Sequence, residues 1–271
     1  MNYKLLFPTY RTRQRWVLGT IDEVIGGAKI GEMLNVGCGE GDLDRALKLR
    51  CDTLVACDIN EGDVAYAREL NAEIRGLTYD VEDALHLTYA DARFDAITCV
   101  DVIEHVDDPR GLFAELARVV RPGGTIVLTC PSARFPLTYD PINWALAPTG
   151  KHVRLGAYGY GHTWLVREEE LAGWAGDVGL EVMRTDRLSK ALASALECYW
   201  PGLLQRLLKA NADNKAQRRR HLPTLRPSIG EPALVAISDL VVDLDASLLA
   251  GSHRSVGLGV CLRKPRQRTS V

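Results

Sequence analysis

Through the first half of this 271-residue chain, short apolar runs that favour β-strands alternate with runs of helical period. Apolar strands separated by helices are typical of a parallel sheet buried on both faces, so we predict an α/β protein. Right-handed crossovers place the carboxyl ends of such strands along one edge, where these sheets bind ligands. The predicted strands of this half are 32–36, 53–57, 74–79, 94–100 and 125–130.

The composition is that of an ordinary soluble protein, with 46% hydrophobic and 25% charged residues, which excludes intrinsic disorder and collagen. The formal net charge of −2 argues against a general nucleic-acid binder, so no nucleic-acid partner is expected. No uncharged apolar stretch is long enough to predict a membrane span. The seven cysteines lie mostly in apolar runs and include no CxxC pair, which favours reduced thiols and a cytoplasmic location.

The glycine-rich run NVGCGEG, Asn35–Gly41, directly follows the first predicted strand. Glycines let a backbone turn tightly and approach a ligand, and the helix that follows offers unpaired N–H groups. The dinucleotide fingerprint needs a glycine one position after Gly41, where Asp42 stands. The run therefore fits a nucleoside without a pyrophosphate better than NAD. A tight strand-to-helix turn without a ligand is the alternative interpretation.

Acidic residues follow the other strands of the predicted sheet. Asp58 ends the second strand, where a carboxylate can accept hydrogen bonds from both hydroxyls of a ribose. Asp83 and Ala84 stand in a later loop, either to receive the exocyclic amine of adenine or as solvated loop residues. The run DVIEH, 101–105, follows the fourth strand with two acids and an imidazole, a ligand set for a divalent ion.

Five segments, in this order and spacing, resemble the motifs of class I S-adenosylmethionine-dependent methyltransferases: NVGCGEG, VACDIN, DALHLTYADARFD, VIEHVDDP and RVVRPGGTIVLTCP. They are most similar to the small-molecule branch that contains the ubiquinone-biosynthesis O-methyltransferases. The resemblance implies a Rossmann-like, seven-stranded, mostly parallel sheet with helices on both faces and the last strand antiparallel. It implies S-adenosylmethionine as the cofactor, with the glycines near its methionine part, Asp58 at the ribose and Asp83-Ala84 at the adenine. The expected cofactor-binding residues are Asn35, Gly37, Cys38, Gly39, Gly41, Asp58, Ile59, Asp83, Ala84, Val100 and Asp101.

The run DVIEH resembles the E-x-x-E-H of ubiquinone-pathway O-methyltransferases and small-RNA 2′-O-methyltransferases, whose three side chains hold a metal. Asp101 departs from the first Glu of that motif by one methylene. In the RNA enzymes a further His completes the site, and His162 follows His105 by 57 residues. A metal would lower the pKa of an acceptor hydroxyl, whereas a metal-free enzyme would use His105 or His162 as general base. The expected ligands of Mg²⁺, Mn²⁺, Fe²⁺ or Zn²⁺ are Asp101, Glu104, His105 and His162.

We predict one methyltransferase domain over 1–271. The aromatic segment 132–166 is predicted to line an apolar acceptor pocket. An apolar stripe of helical spacing from Leu188 to Leu208 has three interpretations: core packing, a homodimer interface, or peripheral contact with a membrane surface. The predicted parts of the domain are an N-terminal helical segment 1–30, a cofactor-binding core 31–131, a lid and acceptor loop 132–166, a helical insertion 188–250 and a last strand 254–264.

The sequence as a whole predicts a transferase of small-molecule biosynthesis. It would methylate a small, rather apolar acceptor, by O-methylation of a hydroxyl and with or without a metal. The alternatives are a metal-independent C- or N-methyltransferase and a catalytically silent methyltransferase-fold partner subunit. Methylation of an RNA 2′-hydroxyl is disfavoured by the −2 charge. The predicted location is cytoplasmic, with peripheral membrane contact as the variant.

Overall fold

A seven-stranded sheet is the main element of the computed structural model, which describes residues 2–158, 162, 164–198 and 229–266. The strands are β1 Ile30–Val36, β2 Cys51–Asp58, β3 Leu77–Val81, β4 Phe94–Val100, β5 Val120–Pro131, β6 Glu181–Leu188 and β7 Gly257–Arg263. The α-helices of the described residues are α1 Pro8–Ile25, α2 Asp44–Lys48, α3 Glu61–Leu70, α4 Pro109–Val119, α5 Pro141–Leu146, α6 Glu168–Asp177, α7 Ala191–Ala195 and α8 Val235–Leu248. Short 3-10 helices cover Tyr3–Leu6, Ile103–His105, Ala147–Thr149 and Gly156–Tyr158.

The strands lie in the order β3-β2-β1-β4-β5-β7-β6. β1 pairs in parallel with β2 on one side and with β4 on the other, and β3 and β5 continue the parallel ladder outward. The direction of winding therefore reverses between β1 and β4. At such a reversal the connecting helices move to the opposite face, and a crevice forms beyond the carboxyl ends of the two strands.

The last strand, β7, runs antiparallel to β5. Near the end of β5 the Ser132 amide donates to the Val256 carbonyl, and near its start the Gly123 amide donates to the Lys264 carbonyl. The end of β5 thus lies beside the start of β7, and the start of β5 lies beside the end of β7. The prediction of a Rossmann-like, seven-stranded, mostly parallel sheet is confirmed.

The centre of the sheet is apolar on the side that α1 covers. Val17 and Ile21, one turn apart on α1, pack against Met33, Leu54 and Val127 from three different strands, and all five are buried. β-Branched and aliphatic residues of this kind form the buried strands of α/β sheets. The central strands are therefore rigid, and the loops at their carboxyl ends start from fixed positions.

Two helices that follow the carboxyl-end loops have clear start signals. Asn60 caps α3, because its side-chain oxygen accepts from the amides of Gly62 and Asp63. α4 has Pro109 at its first turn and buries Phe113 on its apolar face. Each of these helices fixes the far end of a loop at the ligand edge.

The chain divides into two compact units. Unit 1 comprises 1–13, 131–167 and 187–258, and unit 2 comprises 14–130, 168–186 and 259–271. Unit 2 therefore holds most of the sheet. The prediction of one domain over the whole chain stays a prediction.

Unit 1 is joined by buried polar bonds between distant parts of the chain. The Thr9 amide and hydroxyl donate to the two carboxylate oxygens of Glu197, at 2.7 and 2.5 Å. Asp245 of α8 accepts from the amides of Leu192 and Ala193 at the start of α7.

Among the described residues, no helix has both the length and the apolar character needed to cross a membrane.

Several predicted bounds differ from the structure. β5 starts at Val120 rather than 125, because the chain passes directly from α4 into the strand through Pro122 and its two glycines. Leu188 ends β6 instead of opening a helix, and the described part of the predicted 188–208 helix is the five-residue α7. The rest of that apolar stripe, from residue 199, lies outside the described residues.

Candidate active site

The glycine-rich loop between β1 and α2 has three glycines with positive φ, of 73°, 52° and 74°. A Cβ on Gly37 would collide with Val102 Cγ2, and one on Gly41 would lie 2.7 Å from Ala67 Cβ. Apart from its own chain neighbours, no atom of the described residues lies within 4 Å of the Cβ position of Gly39. Gly37 and Gly41 are thus needed for packing, whereas Gly39 presents open backbone to a ligand.

Asp58, at the end of β2, holds this loop in place. Its Oδ2 accepts from the Gly39 amide and its Oδ1 from the Asn60 amide, both at 2.9 Å. An ionised carboxylate has about four lone-pair sites, so two remain for hydroxyl groups of a ligand. Asp58 is half-buried and the adjoining Ile59 is exposed, which leaves the carboxylate accessible from the ligand edge.

The carboxyl ends of four parallel strands meet around Asp58. The Cys38 amide donates to the Cys57 carbonyl, and the Glu82 amide after β3 donates to the Asp58 carbonyl. Val102 brings the end of β4 against the glycine-rich loop. Burial raises the pKa of the Cys38 thiol, so this cysteine acts as a packing residue rather than a nucleophile.

A buried polar layer lies beneath the loop. Asn35 Nδ2 donates to Asp44 Oδ1 at 2.6 Å, and the Thr98 hydroxyl donates to Asn35 Oδ1 at 2.8 Å. All three side chains are buried. Burial raises the pKa of Asp44 to about 7. The side chain of Asn35, predicted to bind cofactor, is therefore bonded to the protein interior.

Asn71 and Tyr79 hold the far end of the loop. Asn71 Nδ2 donates to the Gly41 carbonyl at 3.1 Å and to Tyr79 Oη at 2.8 Å. Both residues are buried, and burial raises the pKa of the phenol. Sequence reasoning missed these two residues together with Asp44 and Thr98. The one available signal was that Asn71 ends α3, which indicates a helix cap.

The predicted adenine-binding residues start a loop that is fastened to α4. Asp83 Oδ1 accepts from the Leu85 amide at 2.9 Å, and both Asp83 and Ala84 are half-buried. Further along, the Arg118 guanidinium donates to the carbonyls of Leu87 and Tyr89, each at 2.7 Å. Hydrogen bonds to carboxylates raise the pKa of Arg118, so its charge is permanent. The loop is thus held from the helix side.

The end of β4 has an unusual backbone. Asp101 adopts a positive φ of 54°, a conformation that a residue with a Cβ rarely takes and that is concentrated at functional sites. Its amide donates to the Thr129 carbonyl and its Oδ1 accepts from the Thr129 hydroxyl at 2.9 Å. Val100 and Asp101 are both half-buried. The neighbouring strand therefore fixes the direction of the Asp101 carboxylate.

Glu104 and His105 follow in a single 3-10 turn. The Glu104 carboxylate is almost fully buried, with a side-chain exposure of 1%, and its Oε1 lies 4.0 Å from His105 Nε2. The imidazole keeps 27% of its surface exposed. An ionised carboxylate beside an imidazole stabilises a proton or a cation on that ring. The pair can therefore accept a proton or supply one oxygen and one nitrogen ligand.

His162 belongs to unit 1 and is half-buried. Its Nδ1 lies 2.7 Å from the Ala157 carbonyl oxygen. Ala157 packs in an apolar cluster with Phe135 and Leu165, around which the predicted aromatic segment folds. Tyr160, which was also expected to line an acceptor pocket, lies outside the described residues.

Comparison with known proteins agrees with this geometry. Residues 34–128 match a family model described as "Methyltransferase domain". The chain is 30% identical over 170 residues to a ubiquinone biosynthesis O-methyltransferase of Pseudomonas savastanoi pv. phaseolicola, which covers 60% of this chain and 69% of the relative.

The fold is shared with many solved structures, which include the following two. One is the [4+2]-cyclase SpnF, with a TM-score of 0.60, 18% identity and coverage of 94% of this chain and 82% of that one. The other is the N-methyltransferase NodS of Bradyrhizobium japonicum WM9 with S-adenosyl-l-homocysteine, with a TM-score of 0.52, 18% identity and coverage of 69% and 83%. Because one of these neighbours is a cyclase, the fold alone does not define the reaction.

The segment that matches the family model contains the glycine-rich loop, Asp58, Asp83 and the run Asp101–His105. These are the residues that the structure gathers at the carboxyl edge of the sheet. The chain belongs to the class I S-adenosylmethionine-dependent methyltransferases, in the branch that resembles the ubiquinone biosynthesis O-methyltransferases.

Proposed function

We propose that this enzyme methylates a hydroxyl oxygen of a small, rather apolar acceptor. The observation that carries the proposal is the Glu104–His105 pair, a half-exposed imidazole backed by a buried carboxylate at the end of β4. A hydroxyl is a poor nucleophile until its proton is removed, and an imidazole is the side chain best suited to remove it near neutral pH. The curated relatives are named as O-methyltransferases, which supports the same reaction.

In this proposal the residues at the ligand edge of unit 2 have separate roles. The Asp58 carboxylate would accept the ribose hydroxyls while its bond to the Gly39 amide keeps the loop open for the ligand. S-adenosylmethionine supplies an activated methyl group on a positively charged sulfur. His105 would accept the hydroxyl proton, and Glu104 would stabilise the imidazolium that results, as a buried carboxylate does beside a catalytic histidine. Asp83 and Ala84 would contact the adenine of the cofactor.

The first experiment is methyl transfer to matched apolar acceptors that carry a hydroxyl, an amine or an activated carbon at the same position. We expect labelled methyl to appear on the hydroxyl compound, with S-adenosylhomocysteine released in equal amount. His105→Gln should reduce this rate by about 100-fold or more, the usual contribution of a general base. His253→Gln, an exposed histidine, is the matched control. Methylation of the amine or carbon compound alone would replace this proposal by the N- or C-methyltransferase alternative.

A metal-assisted form of the same reaction has its own support. Glu104 and His105 together offer the oxygen and nitrogen ligands that divalent ions accept. With Asp101 and His162 they make up the ligand set expected from the sequence. A divalent ion held there would lower the pKa of an acceptor hydroxyl. We expect activity to fall in EDTA and to return with Mg²⁺, Mn²⁺, Fe²⁺ or Zn²⁺. Full activity in chelator, with no metal found by elemental analysis, would leave the metal-free mechanism.

The enzyme should also be distinguished from a silent partner subunit. Such a subunit would bind S-adenosylhomocysteine, as a calorimetric titration would show, but would release none from S-adenosylmethionine with any acceptor. Turnover by the purified chain without a second protein supports the proposed function. Binding without turnover across all three acceptor classes contradicts it.

Peripheral membrane contact is supported by an exposed apolar stripe on α8. Ile237, Leu240, Leu244 and Leu248 lie three or four residues apart and are 58, 59, 40 and 71% exposed. An apolar helix face of this kind inserts at a lipid surface, where an apolar acceptor would also be found. We expect flotation with neutral phosphatidylcholine vesicles, weakened by Leu240→Glu. A concentration-dependent dimer that this variant dissociates, without flotation, would favour the homodimer instead.

A further inference from the structure

A buried polar cluster in unit 1, formed by Asp140, Asn143 and the segment 153–157, has no role in the proposal above. Asp140 is fully buried, and its carboxylate accepts hydrogen bonds from Asn143 and Ala157. Its Oδ1 accepts from the Asn143 amide at 3.0 Å, and its Oδ2 accepts from Asn143 Nδ2 at 2.6 Å and from the Ala157 amide at 2.9 Å. We call these residues the Asp140 cluster.

Asn143 extends the cluster to the preceding residues. Its Oδ1 accepts from the Val153 amide at 2.7 Å, and its Nδ2 also donates to the carbonyls of Val153 and Leu155 at 3.0 Å. Gly156 is required for this approach, because a Cβ there would lie 2.5 Å from Asp140 Oδ2. The two side chains thus determine the path of the backbone up to Ala157.

The Ala157 peptide then connects the cluster to His162. Its amide is bonded to Asp140, and its carbonyl oxygen lies 2.7 Å from His162 Nδ1. A carbonyl oxygen can only accept a hydrogen bond, so Nδ1 carries a proton and donates it. In the neutral ring the second nitrogen, Nε2, is then the atom with the lone pair.

We propose that the Asp140 cluster is a positioning device that fixes His162 in the Nδ1–H tautomer, which makes Nε2 the nitrogen with which this second candidate base would accept a proton. This proposal rests on the proposed O-methylation. Asp140 and Asn143 are positioning residues, since they act on His162 through Ala157. The same tautomer is the one that a metal-bound histidine needs, with its other N–H on a carbonyl, so the inference also holds for the metal-assisted form.

The first test reads the tautomer directly and needs no methyl transfer. In the full-length protein labelled with ¹⁵N-histidine, long-range ¹H–¹⁵N correlation spectra distinguish Nδ1–H from Nε2–H rings. His162 is assigned by its loss in His162→Gln, and we expect it in the Nδ1–H form. The exposed His86 and His253 serve as internal references. An Nε2–H ring at His162 in the wild type overturns the proposal.

The second test perturbs the cluster with an isosteric change. In Asp140→Asn the new NH₂ group faces an N–H donor in either orientation of the amide, because both oxygens of Asp140 accept from N–H groups. The Ala157 peptide therefore loses its fixed position. Gly156→Ala pushes on the same carboxylate from the other side. We expect both variants to lose the single-tautomer signal of His162. An unchanged signal in folded protein of both variants overturns the proposal.

The third test separates this role from a merely structural one. We expect both variants to lower acceptor turnover by about 10- to 100-fold, the usual effect of removing a group that orients a histidine. Their calorimetric affinity for S-adenosylhomocysteine should stay at the wild-type value, because Asp58 and Asn71 hold the glycine-rich loop. Full turnover in His162→Gln would overturn the role of His162 while methylation by the wild type still supported the proposed function. A wild-type enzyme that methylates no hydroxyl would refute the proposed function whatever the tautomer.

Discussion

The glycine-rich loop and the Asp140 cluster both place a glycine of positive φ against a buried polar group. Gly41 lies against Tyr79 Oη, at 2.9 Å from its Cβ position, and Gly156 lies against Asp140 Oδ2 at 2.5 Å. The loop is anchored to strands of the sheet, whereas the cluster depends on the hydrogen bonds of two side chains in an irregular segment. A substitution in the loop should therefore weaken ligand binding while the strands keep the loop folded. A substitution in the Asp140 cluster should disrupt all of its hydrogen bonds together.

The largest expected effect tests the strand-anchored region. Asp58→Ala removes the acceptor of the Gly39 and Asn60 amides and the proposed acceptor of the ribose hydroxyls. Hydrogen bonds to a charged group contribute about 1.5–3 kcal/mol each, so we expect affinity for S-adenosylmethionine to fall at least roughly 100-fold. Isothermal calorimetry measures it, with Asp52→Ala, an exposed acid at the start of the same strand, as the control. Wild-type affinity in Asp58→Ala would refute the assigned role.

The paired glycine variants test the comparison itself. An alanine at Gly41 would press on Ala67 and Tyr79, and one at Gly156 would press on Asp140. At a positive φ each substitution should cost about 1–3 kcal/mol of unfolding free energy. We expect Gly41→Ala to weaken cofactor binding and Gly156→Ala to reduce acceptor turnover alone. Urea unfolding, calorimetry and turnover on both variants separate these effects. Equal loss of cofactor affinity in the two variants would contradict the distinction.

The glycine-rich loop could be predicted from sequence because its chemistry is local and periodic. Gly37, Gly39 and Gly41 alternate directly after an apolar strand, and Asp58 ends the next strand, so the parallel topology alone brings them to one edge. The family resemblance then assigned a cofactor to that edge. The seven-stranded, mostly parallel sheet and its antiparallel last strand followed from the same resemblance and are confirmed.

The Asp140 cluster could not be predicted because its bonds join residues with no shared period. Asp140 and Ala157 are separated by 17 positions of irregular chain, and Asp140-Pro141 indicates only a helix start. The supports of the loop were missed for a similar reason, since Asn71 reaches Gly41 across 30 positions. Hydrogen-bond partners of this kind depend on packing, which a local pattern does not contain.

A smaller effect is expected from the buried carboxylate of Asp44, which lies beneath the glycine-rich loop. Burial raises the pKa of Asp44 from 3.8 to about 7. Between these pH values the unfolded chain binds fewer protons than the folded one. The contribution of Asp44 to the free energy of unfolding is therefore fully present below about pH 4 and is lost as the pH rises through about 7. Asp44→Asn keeps an acceptor for Asn35 and cannot ionise.

We therefore expect Asp44→Asn to flatten the fall in unfolding free energy between pH 5 and pH 8 by about 1–2 kcal/mol, less than the full shift implies because buried sites relax. Urea unfolding at the two pH values measures it, with Asp52→Asn as the exposed control. A pH dependence in Asp44→Asn equal to that of the wild type would show that Asp44 is ionised throughout this range.

The smallest expected effect concerns the loop after Asp83, which a surface side chain holds. Arg118 binds two loop carbonyls and the Glu115 carboxylate at once, a geometry that the single ammonium of lysine does not match. Because Arg118 is 30% exposed, Arg118→Lys should cost only about 0.5–1 kcal/mol of stability. We expect the KM for S-adenosylmethionine to rise two- to fivefold, by roughly the same energy, with kcat unchanged. Arg110→Lys, at an exposed ion pair on the same helix, is the control. A fall in kcat at constant KM would show that this loop serves the acceptor rather than the adenine.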